Sequence, residues 1–189
     1  MLKELVTSFV ISASAITPVA DIQPAEHKNF VYGLHKKQAE CLAQNMYHEA
    51  KNQGFAGQLA VALVVINRVK DHRFPNTICE VVHQGPVKES WKTKGKNVPD
   101  HERIYYPVRH KCQFSWWCDG IKDTVKKLDK DLYDDIYSMS MSLVTGEAKV
   151  VDITEGATHF HADYVRPAWR KTKTRTIEIE DHIFYRWEK

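Results

Sequence analysis

Leu42-Ala-Gln-Asn-Met-Tyr-His-Glu-Ala50 ends a segment whose apolar residues recur at helical spacing. Ala39, Leu42, Ala43, Met46, Tyr47 and Ala50 mark one face from residue 37 onward, and Asn52-Gln53-Gly54 stops the run at residue 53. Residues 56–70 repeat the pattern through Leu59, Ala62, Leu63, Ile66 and Val69. Over residues 61–66 this second segment is apolar on nearly every side, which predicts a buried central helix. Arg73-Phe-Pro-Asn-Thr-Ile-Cys79 then turns into a short third helix. Asn76 or Thr77 would be its N-cap, and Glu80 would complete a capping box from Thr77.

Outward from these helices the pattern changes. Residues 131–144 form one more amphipathic stretch (Leu132, Ile136, Met139, Leu143), closed by Gly146. Residues 157–162 and 175–180 alternate as strands do, and 183–187 reads as a hairpin partner across Asp181-His182. Helices first and short strands last define an α+β arrangement, helical in its N-terminal half with a small antiparallel sheet toward the C-terminus. Residues 85–110 are polar and without a period, a long loop of the kind that is functional or mobile.

A chain of 189 residues supports one sizeable core. The expected division is a leader and linker over residues 1–36 and one domain over 37–189. The leader is Met1-Leu-Lys-Glu followed by an apolar and small-residue run over 5–19, with cleavage-like Ala13-Ser-Ala15 and Pro18-Val-Ala20. It reads as a secretory signal peptide with its positive start diluted by Glu4. The run is shorter than the ~20 apolar residues of a membrane span, so no stable membrane insertion is expected. A net charge of +3 with no Lys/Arg stripe does not mark a nucleic-acid binder, and suits contact with an anionic polymer.

Cys41, Cys79, Cys112 and Cys118 form no CxxC pair, which argues against a zinc ribbon or thioredoxin-type site. Cys112 and Cys118 would close the loop 113–117, leaving Cys41 for Cys79. Four reduced thiols are the alternative.

Glu49, late in its helix, is the candidate general acid, because a protein environment can keep such a carboxyl protonated near neutral pH. His48-Glu49 begins like a zincin helix, but the position one turn later holds Asn52. His159 and His161 point to one side of a predicted strand, a geometry that two metal ligands could use, though spacing shows no third. Otherwise they line a polar groove or pack with Trp169. No Gly-x-Ser-x-Gly elbow or phosphate-cradling loop occurs. Tyr105, Tyr106, Phe114, Trp116, Trp117, Phe160, Tyr164 and Trp169 fall in loops or at loop edges. Sugar rings pack on such planes, and Trp116 and Trp117 are the first candidates to line a saccharide cleft. Core packing is the other use of large aromatics.

Taken in order, several blocks resemble the spore-cortex-lytic cell-wall hydrolases (SleB/CwlJ type). They are Leu42-Ala-x-x-x-Tyr47-His-Glu49-Ala; Gly57-Gln-x-Ala60-Val-Ala62-x-Val-Val-Ile-Asn67-Arg68-Val69; Phe74-Pro-Asn-Thr-Ile-Cys79; and Cys112-Gln113-Phe114-Ser115-Trp116. Asp152-x-Thr154-x-Gly156-Ala157-Thr158-His159-Phe160-His161, Pro167-x-Trp169 and Thr176-Ile-x-Ile-x-x-His182-Ile-Phe184-Tyr185 follow, so the likeness runs over residues 38–185.

The resemblance implies a lysozyme-like, peptidoglycan-cleaving domain; a monomer with no cofactor or metal is the accompanying expectation. Glu49 would be the catalytic glutamate, acting between N-acetylmuramic acid and N-acetylglucosamine as a lytic transglycosylase or muramidase. Gln113, Ser115, Thr154, His159 and His161 would join Trp116 and Trp117 in contacting sugar. Asp152 and Glu155 are candidates, by position only, for a second carboxylate. An envelope, periplasmic or secreted setting is implied, with a phage lysin acting in the host envelope sharing the same domain. The rivals are an inactive wall-binding protein and a metal-dependent hydrolase built on His159 and His161. Two departures stand out: Lys51, where many members carry arginine, and residues 86–111, longer and more charged than expected. No wall-binding repeats accompany the domain, which would therefore hold its substrate itself.

Overall fold

The structure, a computed structural model, describes residues 24–188; the signal-like run lies outside them. Helix α1 (Pro24–Ala50) is followed by α2 (Phe55–Lys70), α3 (Ile78–Val82) and a hairpin of β1 (Val87–Glu89) with β2 (Tyr105–Pro107). Then come α4 (Lys130–Thr145) and an antiparallel sheet of β3 (His159–Ala162), β4 (Thr174–Ile179) and β5 (His182–Arg186), in the order β3-β5-β4. The α+β class, helical in its N-terminal half with a small antiparallel sheet toward the C-terminus, is therefore the observed one.

α1 begins at Pro24, so residues 24–36, read as a linker, are helical. Their periodicity is hidden because Tyr32, Gly33, Leu34, Lys36 and Lys37 face water and nothing selects an apolar stripe there. From Ala39 onward Leu42, Ala43, Met46 and Tyr47 enter the core. α2 is the central helix: Gly57 through Val65 are all buried. One side of it, through Ala62 and Val65, joins Leu42, Met46, Val81, Phe114, Trp116 and Ile136 in the helical core. The other, through Ala60 and Val64, meets Ala157 and Phe184 of the sheet layer. Leu42 is fully buried, and Leu42→Ala at such a position costs about 2–5 kcal/mol.

The ends of the elements follow local chemistry. Thr77 caps α3, its hydroxyl accepting from the Glu80 N–H at 3.3 Å and donating to the Glu80 carboxylate at 2.7 Å. Gly146, at φ 75°, terminates α4 in the left-handed conformation that costs glycine least. α2 lacks a side-chain cap of its own; Glu180, from the β4–β5 turn, supplies one. Its carboxylate accepts from Gly54 N–H at 2.6 Å and Gly57 N–H at 3.2 Å, at the positive end of the helix. That turn is Glu180-Asp181, with His182 already the first residue of β5 rather than part of the turn.

Both expected disulfides are formed. Cys41–Cys79 joins α1 to α3, and Cys112–Cys118 closes the 113–117 loop. The 85–110 segment is not wholly irregular, since β1 and β2 pair across it. Strands of three residues are too short to display a period.

Candidate active site

Glu49 occupies the last turn of α1, where the chain leaves the helix toward α2. Two interactions fix that exit on one side. Tyr47 donates its hydroxyl to Asp129 at 2.6 Å, and the Lys51 ammonium pairs with the same carboxylate at 3.1 Å. On the other side Gln53 grips the β4–β5 turn. Its amide donates to the Asp181 carboxylate at 2.9 Å and accepts from the Asp181 N–H at 3.1 Å. With Glu180 on the α2 N-terminus, these bonds press the α1–α2 turn against the end of the sheet.

The result is a cleft of about 280 Å³ with Glu49 in its wall. His48, Lys51, Asn52 and Gln53 line the helix side, and Ala162, Tyr164, Asp181 and His182 line the sheet side. Ala162 and His182 are cross-strand partners, so the last rung of the β3–β5 ladder faces the glutamate. Among the described residues no hydrogen bond is made to the Glu49 carboxyl, which leaves it open to a ligand.

Burial pushes the Glu49 pKa up to about 7, against the opposing pull of the Arg68 guanidinium. The negative end of the α1 macrodipole acts in the same direction as burial. Tyr47 does not contribute as a neighbour. Two residues apart on a helix, the side chains diverge, and Tyr47 turns to Asp129 and Tyr133 instead. Arg68 is buried beneath Phe74 and Phe114, at 5.2 and 5.1 Å from their ring centres, and donates Nε–H to the Thr158 carbonyl at 2.7 Å. Its pKa, lowered to about 10 by burial, still leaves it charged at neutral pH. A Glu49 carboxylate formed on proton donation would thus have a fixed counter-charge behind it.

The other residues singled out from the sequence are dispersed. Thr154 is fully buried, its hydroxyl donating to Asp152 at 2.6 Å and accepting from Asn67 at 3.3 Å. Trp116 is core, donating its indole N–H to Asn45 at 3.1 Å and stacking on His48 at 4.5 Å, so it backs a cleft residue without lining the cleft. Trp117 is half-buried against His83. Gln113 and Ser115 are exposed on the disulfide-closed loop.

His159 and His161 do share a sheet face, with Tyr185 and Ile183 as cross-strand partners; the alternation puts Ala162 and His182, the cleft residues, on the opposite face. His161 is buried, with Nδ1 on the Ala162 carbonyl at 2.8 Å and Nε2 on the Tyr185 hydroxyl at 3.1 Å. His159 packs near Trp169 and Trp187, and its Nδ1 meets the Thr158 hydroxyl at 2.9 Å. Burial lowers the His159 pKa to about 3, helped by Arg68, Lys173 and Arg73. With both His161 nitrogens occupied and three cations around His159, the pair is a poor metal site. Among the described residues no group of three ligating side chains forms.

Asp152 and Glu155 give way to Asp181 as the carboxylate that shares the cleft. Asp152 is saturated by the N–H groups of Thr154 and Gly156, the Thr154 hydroxyl and the Asn67 amide, and so organises its own loop. Tyr164, one of the loop-edge aromatics, does reach the cleft, whereas Asp181 and His182 escaped sequence reading as site residues because nothing local marks them. They become neighbours of Glu49 only through the strand register.

The site is thus one buried carboxyl without a hydrogen-bond partner among the described residues, set in the wall of a polar cleft. The family comparison is specific: residues 52–185 match the cell wall hydrolase family, and the chain belongs to it. That match begins just past Glu49, so the reading of Glu49 rests on geometry. The spore cortex-lytic enzyme of Bacillus subtilis is 34% identical over 62 residues, 33% of this chain and 20% of that protein. The spore cortex-lytic enzyme of Bacillus cereus is 33% identical over 64 residues, covering 33% of this chain and 25% of the relative. The matched part is thus a quarter or less of either relative's length. The catalytic domain of the germination-specific lytic transglycosylase SleB from Bacillus anthracis shares the fold. Its TM-score is 0.50 at 22% identity, over 79% of this chain and 93% of that domain.

Proposed function

We propose that this chain cleaves peptidoglycan glycan strands between N-acetylmuramic acid and N-acetylglucosamine, with Glu49 as general acid and then base. The observation that carries the reading is the Glu49 carboxyl itself: unbonded, in a polar cleft, and with its pKa raised to about 7. Protonated Glu49 donates to the glycosidic oxygen as the C1–O bond breaks and an oxocarbenium-like centre develops. Arg68 offsets the charge left on the carboxylate. The muramic C6 hydroxyl then attacks C1 and returns its proton to Glu49, closing a 1,6-anhydro ring. This is the lytic transglycosylase outcome.

Asp181 favours a second reading. Its carboxylate, in the same cleft and held by Gln53, could activate water and give a reducing muramic end. Gln113, Ser115 and Trp117 would then meet the strand beyond the cleft, with an envelope location for the reaction. Digestion of purified peptidoglycan in heavy-oxygen water, followed by mass spectrometry, tests both. Anhydro ends without label support the intramolecular route, and labelled reducing ends support water activated by Asp181. Absence of any soluble fragment would defeat the enzymatic proposal.

A further inference from the structure

Residues 86–111 hold seven Lys or Arg against three Asp or Glu, a net +4 in a chain whose total is +3. The rest of the chain is therefore net −1. The excess does not form a stripe in sequence because the lysines alternate with other residues, and the hairpin places Lys88 on one of its strands with Lys92, Lys94 and Lys96 in the turn region that follows. β1 pairs with β2 so that Lys88 lies across from Tyr106 and Glu89 across from Tyr105. Two of the three acids are used internally, Arg103 pairing with Glu89 at 2.8 Å and Asp100 at 3.1 Å, while Glu102 is exposed. Lys88, Lys92, Lys94, Lys96 and Lys111 are exposed and make no ion pair or side-chain hydrogen bond among the described residues.

Aromatic surface is held out among these ammonium groups. Trp91 is 79% exposed, and Tyr105 and Tyr106 are about half exposed. The turn that carries Trp91 is fixed from beneath. Ser90 N–H donates to the Ile104 carbonyl at 2.7 Å, and the buried Thr93 hydroxyl accepts from Ile104 N–H at 3.3 Å. Exposed aromatic rings beside unpaired ammonium groups on an ordered element offer a partner both a stacking plane and a counter-charge. No residue of the segment lines the Glu49 cleft.

We propose that this hairpin is a docking arm for the carboxylate-bearing peptidoglycan strand, separate from the cleft. Its lysines pair with stem-peptide carboxylates while Trp91 and Tyr106, the latter on the hairpin face that carries Lys88, pack against sugar faces. The identity of the partner rests on the peptidoglycan reading above; the charge complementarity stands without it. The arm would keep the enzyme on insoluble wall between cleavage events.

The test is co-sedimentation of the full chain, carrying Glu49→Gln so that the wall survives, with purified peptidoglycan freed of secondary polymers. Lys88→Gln/Lys92→Gln/Lys94→Gln/Lys96→Gln should weaken binding by about tenfold or more at low salt and flatten its salt dependence. Trp91→Ala should weaken it several-fold, and peptidoglycan whose carboxylates have been amidated should bind the unsubstituted arm no better than intact wall binds the lysine variant. In the Glu49 background, the same arm variants should turn over small soluble muropeptides like the parent protein. Undiminished sedimentation of folded variants would overturn the proposal. So would a lysine-dependent preference for anionic lipid vesicles or phosphate polymers over peptidoglycan. If the parent protein cleaves nothing yet the lysines still govern sedimentation, the catalytic reading falls and the arm stands.

Discussion

Glu49→Gln should make the protein more stable, and only above mildly acidic pH. The ordinary glutamate pKa of 4.5 is raised to about 7 in the folded state, chiefly by burial. Between those values the folded protein binds more protons than the unfolded chain, so stability falls as pH rises. Below pH 4.5 both states are protonated and nothing is lost; above pH 7 both are ionised and the loss is complete. A shift of that size amounts to about 3 kcal/mol at 1.36 kcal/mol per unit. Glutamine keeps the shape without the titration. Urea unfolding of wild type and Glu49→Gln, with disulfides intact, should therefore give nearly equal stabilities at pH 4.5. By pH 8 the variant should be ahead by about 3 kcal/mol, or roughly 6–12 °C in Tm for a domain this size. A difference that is flat across this range would refute the claim that burial holds a proton on Glu49. A difference of opposite slope would mean the carboxylate is stabilised by its surroundings, and would disqualify it as the acid.

Activity should follow the same group: kcat/KM on soluble muropeptides should fall as pH rises through about 7, as Glu49 gives up its proton. If the alkaline limb persists unshifted in a residually active Glu49→Gln protein, another group titrates. Asp181→Asn should leave anhydro-product formation within a few-fold of wild type and abolish any reducing-end product, read by fragment mass spectrometry. Removing Cys41–Cys79 as a double serine variant should cost about 4 kcal/mol by loop-closure entropy, against about 2 kcal/mol for Cys112–Cys118. The sequence separations, 38 and 6 residues, set that order, and denaturant unfolding in which the short loop matters more would contradict it.

Much of the frame was legible because it is written in local chemistry. The stripe Leu42-Met46, the run 61–66, the Thr77–Glu80 capping box and Gly146 as terminator each declare an element without knowledge of the rest, though Asn76 and Thr77 were equal candidates for the N-cap itself. The cleft was legible on one side only. Glu49 is marked by its place at a helix end, but its partners Ala162, Tyr164, Asp181 and His182 arrive through a strand register more than a hundred residues away. Thr154 and Trp116 were read outward and lie inward. A short hydroxyl or an indole in a loop has the same pattern whether it meets sugar or completes the core, and here Asp152 and Asn45 satisfy them. His159 and His161 do share a face, and period-2 alternation showed that. It could not show that the face opposite theirs is the one presented to Glu49.

The most direct test of the account is fragment release from purified peptidoglycan by wild type and by folded Glu49→Gln at pH 6. Loss of a general acid predicts a fall of about 10²–10⁴-fold in the rate at which muropeptides appear, with sedimentation onto the wall retained. A Glu49→Gln protein that releases fragments at more than about a tenth of the wild-type rate would place the proton donor elsewhere.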